Sequence, residues 1–151
     1  MSNPHALRNI LFLVVAGLLG IVGYFIFTSK PDPTSIVRQF YAYEQKGDFG
    51  SAWELFHSTM KERFAKNSYV TERSHIYMGH FGVTTFDFTL SDEAEKRSNW
   101  KMSEDGPAFK EAYQVTVQQT FHSKFGTFTI QQEVYVVKEK GQWKIVWKFG
   151  K

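Results

Sequence analysis

The chain has 151 residues, of which 42% are hydrophobic and 17% aromatic, enough for one compact domain with a sizeable core and too apolar for a disordered chain. It contains no cysteine, which excludes disulfides, zinc–thiolate sites and thiol nucleophiles. The sequence pI is about 9.0, yet from Pro31 onward 16 Lys/Arg stand against 15 Asp/Glu, a balance of +1 without the clustered excess that nucleic-acid binding needs.

Residues 1–9 are short and polar, and residues 10–28 follow as a transmembrane signal anchor. Ile10 to Phe27 is 18 residues without a charge, 13 of them Leu, Ile, Val or Phe. At a few tenths of a kcal/mol each, these favour the bilayer by roughly 4–7 kcal/mol. At about 1.5 Å per residue the run covers roughly 27 Å, enough for a thin bilayer. A cleaved signal peptide would be shorter and end in small residues, where this run ends in Tyr24-Phe25-Ile26-Phe27. Arg8 precedes the segment, and Lys30 after it is balanced by Asp32, so the expected N-terminus is cytoplasmic and the domain extracytoplasmic. Ala16 and Gly20 form a small-xxx-small pair through which two anchors can pack as a homodimer.

Residues 29–32 are a linker too short to hold the domain far from the headgroups, and the domain itself spans 33–150. Asp32-Pro33 predicts a helix start, Ile36, Val37, Phe40 and Tyr41 its apolar face, and Gly47 its end. Asp48 caps a second helix that buries Ala52, Trp53, Leu55 and Phe56, and Ser58 or Thr59 caps a short turn through Phe64. A third helix is expected from Ser68 to about Met78, with Gly79 and Gly82 breaking its pattern. Phe86, Phe88 and Leu90 alternate with polar residues as a first strand. Ser91–Gly106 reads as a loop or twisted strand extension around Trp100.

Tyr113 to Phe149 reads as three strands joined by two tight connections. A two-residue turn at Lys140-Gly141 puts Val136 opposite Ile145 and Val134 opposite Trp147. Closure around Ser123–Gly126 puts Phe121 opposite Phe128, Val115 opposite Val134 and Tyr113 opposite Val136. This register places every large apolar side chain on one side of the sheet. The expected class is α+β: about three helices packed on a curved antiparallel sheet of about four strands.

Three segments carry a family resemblance: Lys46-Gly47-Asp48-Phe49 with Ala52-Trp53; Thr71-Glu72-Arg73 with Ile76-Tyr77 and Gly82-Val83; and Val137 to Trp147 with its tryptophan pair. Over roughly Pro33 to Phe149 the chain resembles the cone-shaped nuclear-transport-factor-2-like fold, and within it the MecA N-terminal domain family. The resemblance implies the membrane-proximal stem of low-affinity class B penicillin-binding proteins of Gram-positive bacteria, and a context of cell-wall synthesis or β-lactam response. In that family the second tryptophan leads into a transpeptidase. This sequence stops at Lys151, so function is expected on the domain itself or its partners.

No catalytic set is expected. Ser58-Thr59-Met60-Lys61 and Ser98-Asn99-Trp100-Lys101 match the Ser-x-x-Lys of a transpeptidase, but the companion Ser-x-Asn and Lys-Thr-Gly motifs are missing. The short matches read as a capped turn and a polar loop. His75 and His80 are five apart, about 140° on an α-helix, which does not favour a shared metal. Trp53, His57, Tyr77, His80, Gln119 and Gln132 are the candidate lining of a ligand recess at the cone. The two glutamines interrupt the apolar sheet face, Gln119 beside Ile130 and Gln132 beside Val117 and Phe149, where the rim can solvate them. Glu133 and Asp87 face away from that core. Lys144, Lys148 and Lys151 guard the edge of the last strand. The expectation is a non-enzymatic protein with no metal or cofactor, whose partners are the membrane lipid bilayer and an envelope protein or wall component. A small-ligand-binding or enzymatic cone is the alternative, and a stem that positions a separate partner is another.

Overall fold

In the computed structural model, residues 32–149 and Val15 are described. The rest of the anchor at 10–28, its Ala16–Gly20 pair and the linker as far as Pro31 lie outside these residues. Among the described residues no helix is long and apolar enough to cross a membrane.

The fold is α+β, with four α-helices packed against a five-stranded antiparallel sheet that does not close on itself. Helix α1 (Pro33–Gln45) opens on a proline, whose fixed φ suits the first helical turn. Gly47, at φ +74, ends it. Asp48 accepts the Ser51 N–H at 3.0 Å and so caps α2 (Phe49–Glu54). Helix α3 (Ser58–Arg63) follows, but its cap is His57 rather than Ser58 or Thr59, because the imidazole Nδ1 already accepts the Thr59 N–H at 3.2 Å. Helix α4 spans Lys66–Ser74 and then widens into a π-helix over His75–Phe81. Gly79 therefore does not end the helix; Gly82, left-handed at φ +68, does.

Strand β1 (Asp87–Leu90) and β2 (Glu95–Lys101) lie end to end along one edge of β3 (Ala108–Ser123). Strands β4 (Gly126–Glu139) and β5 (Gln142–Trp147) complete the order β1-β3-β4-β5. The expected register holds at Tyr113↔Val136, Val115↔Val134, Phe121↔Phe128, Val136↔Ile145 and Val134↔Trp147. Lys140 and Gly141, at φ +50 and +80, form the two-residue turn whose twist suits a hairpin. Opposite them the free edge of β5 is covered by backbone. The Ile145 N–H donates to Leu55 O at 2.9 Å, and the His57 N–H donates to Ile145 O at 3.0 Å.

The core lies between the helices and the sheet face carrying Val115, Val117, Val134, Val136 and Ile145, all fully buried against Val37, Phe40, Phe56 and Met60. Trp147 meets Phe56 edge-on at 4.9 Å and Phe40 at 5.9 Å. Aromatic burial of this kind dominates a small core, each side chain contributing roughly 1.5–3 kcal/mol.

Three expectations are corrected. The sheet has five strands rather than about four, because the segment around Trp100, read as a loop or strand extension, pairs with β3 as β2. The apolar side chains do not share one face: Tyr135, Val137 and Val146 are buried on the other, where Trp100 stacks on Tyr135 at 4.1 Å and Met102 is buried. Phe149 does not pair with Gln132, since β5 ends at Trp147 and the Phe149 N–H donates to Met102 O at 3.0 Å.

Candidate functional site

The helical spacing of α1 places Glu44 one turn beyond Phe40 and Tyr41, on the same buried stripe. Its carboxylate is fully buried between the helices and the sheet. Tyr69 and Arg73 on α4, with Tyr77 on the π-helix, fall at intervals of four and converge on it. Arg73 Nε donates to Glu44 Oε1 at 2.7 Å and its Nη2 donates to Oε2, a forked pair. The Tyr69 hydroxyl donates to Oε1, and the Tyr77 hydroxyl to Oε2 at 3.0 Å. From the sheet, Gln119 Nε2 donates to the Tyr77 hydroxyl at 3.3 Å. Nearby the Tyr41 hydroxyl donates to Gln132 Oε1 at 3.3 Å.

Two carboxylate oxygens offer about four lone-pair sites, and four donors fill them. Burial first, and the Glu44 charge second, push the phenols of Tyr41, Tyr69 and Tyr77 well above their ordinary range. Burial opposes the charge of Arg73, but the Glu44 carboxylate outweighs it and raises the guanidinium above its usual value. The three phenols therefore stay protonated, and the guanidinium charged, at neutral pH. Aromatic rings pack on the cluster: Phe56 lies 5.2 Å from Tyr69, and Phe49, Phe86 and Phe121 lie 5.6, 5.4 and 5.6 Å from Tyr77. What remains is a neutralised polar knot inside an aromatic core.

Of the six residues expected to line a recess, only Tyr77, Gln119 and Gln132 reach this interior. Gln119 is 4% exposed and bonded, so it is not solvated at a rim. Trp53 instead donates from Nε1 to Phe64 O at 2.7 Å, with the Lys61 ammonium 4.5 Å from its ring. His57 is half-buried at the α3 cap, its Nε2 3.6 Å from Glu139. Burial pulls its pKa below the usual histidine value, although the Glu139 charge pushes the other way. His80 is exposed on the π-helix. There the wider turn overturns the 140° expectation and sets its ring 4.8 Å from that of His75. Among the described residues no three His, Asp or Glu side chains group as a metal site.

The Ser-x-x-Lys matches also come apart. Lys61 pairs with Glu54 at 2.9 Å, and Ser98 and Lys101 sit three apart on β2, hence on opposite faces.

Three surface cavities stand out among the described residues. The largest, about 580 Å³, follows the basic strand β2 and reaches Lys148. A second, about 330 Å³, lies beside Tyr113 and Trp143. The third, about 280 Å³, is walled by Gly82–Asp87 and His122. None is lined by Glu44, Arg73 or Gln119.

No family model matches this chain. A search of curated proteins likewise finds no match.

Proposed function

We propose that this chain is a non-enzymatic, single-pass membrane protein whose extracytoplasmic domain binds another component of the cell envelope. The observation that carries the reading is the interior: its buried carboxylate has each lone pair engaged, and aromatic side chains fill the space around it. A recess for catalysis would need an open wall and an acid or base able to move a proton. Binding is therefore assigned to the outer surface. The uncharged run from Ile10 to Phe27 supports the anchor, with the N-terminus inside. The helix-then-sheet order and the tryptophan pair support a nuclear-transport-factor-2-like, MecA-N-terminal-like stem, and with it a role in wall synthesis or β-lactam response.

Crosslinking in intact membranes followed by mass spectrometry tests the central claim, with an envelope protein or wall fragment expected among the products. Repeated recovery of the chain alone would sink it. Protease added to protoplasts should digest the domain; protection would place it inside. Labelled penicillin should leave the protein unmodified, and covalent labelling would overturn the non-enzymatic reading.

A further inference from the structure

The ladder between β3 and β4 begins at Tyr113↔Val136. Beyond that point the strands part. Ala108–Ala112 of β3 pairs only with β2, and Val137–Glu139 of β4 pairs only with β5. Within the described ladders, two backbone edges thus face each other across a fork without pairing. The cavity of about 330 Å³ occupies this fork, walled by Phe109, Tyr113, Trp143 and Val137, with Lys110 and Lys138 at its rim. Tyr113 and Trp143 meet edge-on at 5.3 Å, and the Lys138 ammonium lies 4.8 Å from the Trp143 ring centre.

The charges are unequal. Glu111, the acidic member of the lining, is held by Lys96 at 2.5 Å. Among the described residues neither Lys110 nor Lys138 has a carboxylate within ion-pair distance. A strand edge without a partner is a template for a further strand, and natural sheets cover or charge such edges. The lysines here repel a second copy of this basic surface and attract an acidic one.

We infer that the β3–β4 fork binds an extended acidic peptide segment of a partner protein. Its backbone adds to the open edge of Ala108–Ala112 or Val137–Glu139, an apolar side chain enters the wall of Phe109, Tyr113 and Trp143, and flanking carboxylates meet Lys110 and Lys138. An extended peptide repeats its N–H and C=O groups at the roughly 3.3 Å rise of a strand; a polysaccharide does not. This inference rests on the reading of the chain as an interaction domain and names the chemistry of its partner.

The test uses the full chain in lipid nanodiscs and a capped, fluorescent five-residue peptide alternating aspartate and isoleucine. Three comparators are a lysine–isoleucine peptide, the acidic peptide with N-methylated backbone, and alginate as an acidic polysaccharide. The acidic peptide should bind and slow amide exchange in 108–112 or 137–139. N-methylation should weaken binding at least about tenfold, through loss of backbone donors. Exchanging both exposed lysines, Lys110→Glu with Lys138→Glu, should weaken it by about tenfold or more while the circular dichroism spectrum stays unchanged. No binding, equal binding of the lysine peptide, unaltered exchange at both segments, or displacement by alginate would each overturn the inference. The membrane crosslinking separates this from the broader reading: a partner captured away from the fork refutes the acidic-peptide site and leaves the interaction domain standing.

Discussion

Two polar regions of this domain behave in opposite ways. Around Glu44, four donors meet one carboxylate in the interior, and beside them only the Trp147 Nε1 is buried without a partner among the described residues. At the β3–β4 fork, two strand edges lie outside the described ladders, and neither Lys110 nor Lys138 has a carboxylate within ion-pair distance among the described residues. Satisfied polarity fixes a fold; unsatisfied polarity on a surface invites a ligand. The Glu44 carboxylate, which accepts four hydrogen bonds, thus has its lone pairs occupied from within the chain.

That contrast can be broken most severely at Glu44. Glu44→Gln leaves the Arg73 charge buried without its counter-ion and should cost about 3–5 kcal/mol in denaturant unfolding. Replacing both partners by apolar residues, Glu44→Leu with Arg73→Met, should recover much of that loss. An undiminished loss in the double variant would mean that the knot does more than neutralise itself. Trp100→Ala probes the second buried face and should cost about 1–3 kcal/mol, through lost stacking on Tyr135. Tyr77→Phe removes one donor to Glu44 and one acceptor for Gln119, and should cost roughly 1–2 kcal/mol.

The smallest effect is a pH dependence. His57 has a depressed pKa in the folded protein, so the unfolded chain binds more protons between that value and about 6.5. Stability therefore rises as pH climbs through this window and falls as pH drops through it. Thermal melts of the parent should show that slope. His57→Asn, which retains an N-cap acceptor, should flatten it. A slope of opposite sign would show Glu139 to dominate over burial.

Much of the sheet was readable before any coordinates, because turn geometry and period-two alternation together leave one register. Every pair predicted between β3 and β4 is present in the structure. Strand β2 was less legible: Glu95–Lys101 is polar along most of its length, and only Trp100 betrays a covered face. The π-helix was illegible, since α and π turns share residue preferences and differ only in which carbonyl each N–H reaches. That single change is what brings His75 and His80 together. Glu44 was detectable and missed. The stripe Val37, Phe40, Tyr41 continues by helical spacing to position 44, where a charge should have prompted a search for a buried cation. Trp53, His57 and His80 stand apart from the Glu44 cluster for a different reason. Residue type nominated them, but capping, cation stacking and helix geometry had already engaged them.

The backbone link between Leu55–His57 and Ile145 has a consequence for how the molecule is made. Lys144 also reaches back to Glu54, 90 residues away in the chain. The early helices thus depend on β5, a strand about 90 residues further along the chain. A ribosome-bound chain that has emitted α1 to α4 still exposes Phe56 and the seat of Trp147. Closing so long a loop is slow, and until it closes the aromatic surface is open to aggregation.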